Sequence, residues 1–221
     1  MPNLDAPELY LNRELAQLQF NARVLAQAED GGVPVLERLK FLCIVSSNLD
    51  EFFEIRVAGL KEQIKYRGSV SGPDGLSARQ VFKAVAQQAH ALVERQYSLL
   101  NEEVLPELAR QDIRFLRRTH WNAAQSAWVK DYFFRELMPV LTPIGLDPAH
   151  PFPRVLNKSL NFAVELEGKD AFGRNSGTAI VQAPRVLPRV IRMPAEVAGC
   201  EYGFVFLSSV LHAHVGELFS G

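Results

Sequence analysis

The chain has 221 residues, 48% apolar and 22% charged, with a formal net charge of -1. This composition suits a packed globular core and excludes wholesale disorder. It also excludes a global basic field of the kind that draws a protein onto nucleic acid or an anionic membrane, so a polyanionic ligand would have to meet local basic patches.

The first residues have no basic start followed by an apolar run, so no secretory signal is read there. No stretch is long and apolar enough to predict a transmembrane helix. The expectation is a soluble cytoplasmic protein, with peripheral association at a membrane surface left open. Cys43 and Cys200 share no metal-ligand spacing, and their apolar neighbours predict two buried free thiols in a reducing compartment.

Asn12 is a candidate N-cap for a first helix, with Glu14 in its first turn and Leu15, Leu18, Ala22 and Leu25 on one face. The run from Glu29 to Gly32 ends that helix, and Pro34 suits the first position of the next. An apolar stripe follows through Leu36, Leu39, Cys43, Leu49, Phe53, Val57, Leu60 and Ile64. Residues 67–75 read as a polar Gly/Pro loop. Ser77 caps a long helix through Val81, Val85, Leu92, Tyr97, Leu100, Val104 and Leu108, with a kink or break expected at Pro106. Three such helices can close a small bundle.

Beyond residue 111 the composition changes. Prolines cluster from Pro139 to Pro194, and residues 112–116, 160–166, 178–183 and 202–207 alternate like strands. Residues 121–137 read as a helix, residues 168–177 as a turn-rich connector, and Ser208 or Ser209 as the cap of a last helix. The fold class is therefore α+β: a helical N-terminal domain over 1–111, then a partial α/β domain over 112–221. Its few strands do not easily close a two-sided core, so the chain reads as a fragment of a longer protein.

Phosphate-loop, dinucleotide-fold, zinc-protease and nucleophile-elbow motifs do not occur. His90, His120, His150, His212 and His214 are expected in structural roles, and no metal site is read. Arg114, Arg117 and Arg118 form one basic cluster and Arg185, Arg189 and Arg192 another. Either can meet a polyanion by bidentate pairing, or be a solvated face. The proline-studded run 142–153 is long enough to be functional, or is a structural loop packing Phe152 inward. The sharpest local feature is SSNLDEFF at residues 46–53, where small polar residues interrupt an apolar stripe. Asn48 with Glu51 resembles a capping box, which would restart a helix. A helix start is equally a ligand edge, because it exposes backbone N–H groups beside an amide side chain.

Together these segments resemble the polyphosphate kinase family that works through a phosphohistidine. Residues 10–25 are similar to its opening segment. Residues 34–60, around SSNLDEFF, are the most specific match. Residues 141–153, 157–161 and 181–189 are similar to parts of its head domain. Departures are small: the family commonly has tryptophan near Gln17 and methionine near Glu54.

The resemblance implies reversible transfer of the terminal phosphate of ATP to polyphosphate, with magnesium. It implies a helical N-terminal domain covering the adenine end of ATP, and a head domain making homo-oligomer contacts. Asn48 matches the family's ATP-contacting asparagine. The phosphohistidine and the magnesium-binding residues belong to a C-terminal half whose context none of the histidines here matches, so this chain alone is expected to be inactive. A non-catalytic interaction module derived from the kinase is the alternative.

Overall fold

A computed structural model describes residues 6–66, 71–147, 151–167 and 177–219. The chain forms two compact units, Met1–Gln111 and Asp112–Gly221.

The described residues of unit 1 form three long helical rods after a short 3-10 turn, Pro7–Leu9. The first is α1 (Arg13–Glu29); Asn12 Oδ1 accepts from the Leu15 N–H, as its N-cap role requires, and Asn12 Nδ2 donates to Asp74 at 2.7 Å. The second rod runs through α2 (Val35–Glu51), a π-helical stretch Phe52–Val57 and α3 (Ala58–Tyr66). Pro34 stands at its N-cap, one residue earlier than expected, with ψ of 140° outside the helical range. The third comprises α4 (Ala78–Leu99), a π-helical stretch Leu100–Val104 and α5 (Leu105–Arg110). Ser77 and Gln80 complete a capping box at its start.

The rods bury most of the expected stripe, Leu18, Leu25, Leu49, Leu60, Val81, Val85, Leu92 and Leu108 among it, and depart from it at particular positions. On α1 the buried positions are Leu18, Asn21, Leu25 and Ala28, so Asn21 replaces Ala22. On α2 they are Val35, Arg38, Leu42, Val45 and Leu49, while Leu36 is 56% exposed and Cys43 is exposed. The expectation of two buried thiols therefore holds only for Cys200. On α4, Gln96 lies in the core and Tyr97 outside it.

The π stretches alter the register further. Buried positions step by five residues from Phe52 to Val57 and from Leu99 to Val104, where an α-helix would step by three or four. Phe53 is consequently exposed. Pro106 does not break the third rod. Proline lacks an N–H and its ring presses on the preceding turn, and here the turn ahead of it widens until the Leu105 N–H reaches Leu100 O.

Unit 2 starts with Asp112 at φ 59°, a left-handed conformation that aspartate tolerates better than most residues. Its carboxylate accepts from the Glu201 N–H at 2.7 Å, and its carbonyl from the Tyr202 N–H. This clasp sets β1 (Ile113–Phe115) parallel to β6 (Tyr202–Phe206). Antiparallel to β6 runs β5 (Val190–Met193), giving a sheet of order β1-β6-β5. A second sheet has order β2-β4-β3, from β2 (Pro143–Gly145), β4 (Thr178–Gln182) and β3 (Asn161–Glu165), all antiparallel. The helices are α6 (Ala123–Tyr132), α7 (Ala195–Ala198) and α8 (Leu207–His214). An Asn122–Gln125 capping box starts α6, which runs into a π-helical stretch Phe133–Leu137 ahead of Pro139.

A core packs on one face of the β1-β6-β5 sheet, where helices supply what the few strands do not. Val129, Phe133 and Leu137 pack with Val181, Met193, Val205, Leu207 and Leu211 in one buried cluster. The opposite face of the β1-β6-β5 sheet is open: Phe115 stacks on Phe204 and Phe206, and Phe206 is 44% exposed. Two local expectations fail. Phe152 is 67% exposed, so it is not packed inward. Neither Ser208 nor Ser209 caps α8, whose N-cap is Phe206 without a side-chain bond. The connector at 168–176 and His150 lie outside the described residues.

Candidate functional site

The polar trio of residues 46–48 sits within α2, which continues through it; the Phe52 N–H bonds back to Asn48 O and Leu49 O. The expected helix restart is absent, and with it both the capping role of Asn48 and the exposed N–H groups of a helix start. The trio instead ties helices together. Ser46 Oγ accepts from Gln96 Nε2 on α4 at 2.7 Å. Asn48 Nδ2 donates to Asn21 Oδ1 on α1 at 3.1 Å. Asn21 in turn donates from Nδ2 to Val45 O at 3.1 Å.

This relay fixes the amide orientations. Asn21 is 3% exposed, and its nitrogen must face a carbonyl, so its oxygen must face Asn48. Asn48 therefore spends an N–H on Asn21 and keeps its Oδ1 without a bond among the described residues. It is half-buried, with exposed Ser47 and Glu51 on the same helix. Directly beyond lies the π stretch Phe52–Val57, where the Ala58 N–H reaches Phe53 O. The other two π stretches precede prolines; this one has none behind it. Such insertions are uncommon and often mark functional sites.

Sequence reasoning missed Asn21, Arg38 and Gln96. All three sit at buried positions that a purely apolar periodicity passes over. Arg38 is 4% exposed and donates to Ala28 O at 2.7 Å, Glu107 at 2.9 Å and Glu103 at 2.8 Å. Gln96 also donates to Leu42 O at 2.9 Å.

The arginines of the two basic clusters have different surroundings. Arg114 pairs with Asp112 at 3.5 Å. Arg118 lines a cleft with Trp121 and Lys130. Arg185 donates to Asn157 O at 2.7 Å, and Arg192 lies over the Tyr202 ring at 5.2 Å. Arg189 is exposed.

Exposed His90 lies on α4, its ring nitrogen 2.6 Å from Ala86 O, and exposed His120 ends a short 3-10 turn. His214 packs against Phe133, and burial lowers its pKa despite the opposing effect of Glu217. Among the described residues no three of His, Cys, Asp and Glu come together to hold a metal. No helix among the described residues is long and apolar enough to cross a membrane.

Comparison with known proteins assigns both units. Residues 10–116 match the polyphosphate kinase N-terminal domain, and residues 124–221 match the polyphosphate kinase middle domain. The chain is 60% identical over 220 residues to a polyphosphate kinase of Pseudomonas syringae pv. tomato, covering 100% of this chain and 30% of that protein. It is 62% identical over 211 residues to one of Neisseria meningitidis serogroup A, covering 96% of this chain and 31% of that protein. A crystal structure of polyphosphate kinase from Porphyromonas gingivalis superposes with a TM-score of 0.74 at 27% identity, over 94% of this chain and 31% of that one. The chain thus spans under a third of the length of these relatives.

Proposed function

The chain belongs to the polyphosphate kinase family, and from that premise we propose that it forms the base-side edge of an ATP site in an enzyme that reversibly transfers the terminal phosphate of ATP to polyphosphate. Asn48 is the contact residue. The observation that carries this reading is the Val45–Asn21–Asn48 relay, which leaves the Asn48 amide oxygen as a preset acceptor. An acceptor suits the exocyclic amino group of adenine and disfavours the carbonyl oxygen that guanine has in its place.

Phosphoryl transfer requires a nucleophile and charge stabilisation around the moving phosphate. On this reading those groups, and the magnesium they would use, lie outside this segment, since none of its histidines has the context of the family's phosphohistidine. The 221-residue chain alone is inactive on this reading. Its second unit contributes contacts between copies, a role the open aromatic face around Phe206 suits.

In the polyphosphate-synthesising enzyme carrying this segment, Asn48→Ala is expected to raise KM for ATP about five- to tenfold, the worth of one neutral hydrogen bond, and to narrow the preference for ATP over GTP. A lowered melting temperature with KM unchanged would leave Asn48 with only its tie to Asn21. Incorporation of labelled phosphate from ATP onto a histidine of the isolated chain would overturn the assignment of the chemistry elsewhere.

A further inference from the structure

Unit 2 holds a cleft of about 310 Å³ that the ATP-edge reading does not use, lined by Arg118, Trp121, Ser126, Lys130 and His214. Its two cations come from different elements: Arg118 from the 3-10 turn before α6, and Lys130 from α6 itself. The acids nearest to these two cations in the sequence are engaged elsewhere. Asp112 pairs with Arg114, and Asp131 and Glu136 pair with Arg135. Among the described residues no carboxylate pairs with Arg118 or Lys130, and none lines the cleft. The Lys130 ammonium lies 5.9 Å from the centre of the Phe134 ring, a contact that leaves its charge uncompensated.

The rest of the lining is held in place. The Trp121 indole N–H donates to Leu116 O at 3.2 Å. His214 rests against the buried Phe133 ring, with centroids 5.4 Å apart. Glu217, beyond the end of α8, is the acid that acts on His214. Ser126 adds a hydroxyl. The volume lies at the small end of the range for ligand pockets. Guanidinium forks and ammonium groups without counter-charges match the oxygens of a phosphoryl group, the first bidentately and the second as a point charge.

We propose that this cleft is a phosphoryl-anion site, with Arg118 and Lys130 on the charged oxygens and Ser126 and His214 completing the hydrogen bonds. The recognised chemistry is a phosphate with free oxygens, as in orthophosphate, the triphosphate of a nucleotide or a polyphosphate chain. It stands apart from the Asn48 reading, because every residue invoked lies in unit 2.

The test is isothermal titration of the 221-residue chain with orthophosphate, tripolyphosphate and ATP at low ionic strength. Tripolyphosphate is expected to bind, and the double substitution Arg118→Gln with Lys130→Gln to weaken it about tenfold or more. The charge-matched control Arg79→Gln with Lys83→Gln, at exposed positions of α4 outside the cleft lining, is expected to change it less than about twofold. Displacement of tripolyphosphate by ATP assigns the site to nucleotide phosphates; failure of ATP to displace it assigns the site to nucleoside-free chains. Either result supports a phosphoryl site. Ser126→Ala, a surface change, gives a second and smaller loss. Absence of heat with all three probes, or equal loss in both double variants, overturns the proposal. Asn48→Ala leaves tripolyphosphate binding unchanged, so failure of either reading is visible separately.

Discussion

Replacing Arg38 by methionine removes the guanidinium while keeping an apolar stem of similar length. Three interactions go at once. The bond to Ala28 O is buried, and losing it leaves a carbonyl lone pair unmet, at about 1–2 kcal/mol. The Glu107 side chain is 31% exposed, so that pair is partly screened and is worth about 1 kcal/mol. The Glu103 side chain is 59% exposed and adds less than about 0.5 kcal/mol. The expected loss is about 2–3 kcal/mol, or a urea midpoint lower by roughly 1–2 M. Unit 1 contains neither tryptophan, since Trp121 and Trp128 both lie in unit 2. The transition is therefore followed by far-ultraviolet circular dichroism, with Glu107→Gln closing a double-mutant cycle. A midpoint shift below about 0.3 M, with no coupling to Glu107, would mean that the guanidinium is not a cross-brace between the rods.

Gly203→Ala is expected to destabilise unit 2 by about 1–3 kcal/mol, because the new Cβ would stand 2.3 Å from Ala198 Cβ and 3.3 Å from Cys200 Sγ; tryptophan emission during unfolding reads this. Iodoacetamide is expected to alkylate exposed Cys43 well before Cys200, whose thiol is buried and whose pKa is raised by that burial and then by Asp112; peptide mass spectrometry gives the order. His214 has a lowered folded-state pKa, chiefly from burial. The unfolded chain then holds more protons below the ordinary value of 6.5, so stability falls as pH drops through that value and levels off below the folded pKa. His214→Gln should flatten this slope in denaturant titrations between about pH 7 and 5.

Local signals with a defined partner a few residues away were legible. The caps at Asn12 and Ser77 follow from spacing alone, and so do the long helices. The α+β class follows from the change in periodicity beyond residue 111. What escaped was decided by distant partners. Asn21, Arg38 and Gln96 each occupy a core position because a carbonyl on another rod, Val45 O, Ala28 O or Leu42 O, awaits a donor. A reading that sends polar residues outward moves the stripe one residue along, to Ala22, Leu39 and Tyr97. The π stretches added a second error, since an extra residue in a turn leaves no mark in composition. The short β2 escaped because Pro143 lies in the proline-studded run, and β5 because four residues between Pro188 and Pro194 carry too short a pattern to read. At the candidate site the motif was conspicuous and its local geometry was misread. Asn48 looked like a terminus because its partner, Asn21, is 27 residues away.

The three buried donors also determine how unit 1 can move. Greasy ridges tolerate sliding, because one apolar contact replaces another at little cost. Amide and guanidinium forks meshed with particular carbonyls do not. Displacing one rod along another by a residue shifts it about 1.5 Å, enough to part bonds of 2.7–3.1 Å at Arg38, Gln96 and Asn21 together. The rods are keyed like a lock whose pins are set at different heights. If Asn48 is the base contact proposed above, a nucleotide arriving there would meet a surface that resists shear, and the fit would have to come from the nucleotide or from whatever closes over it.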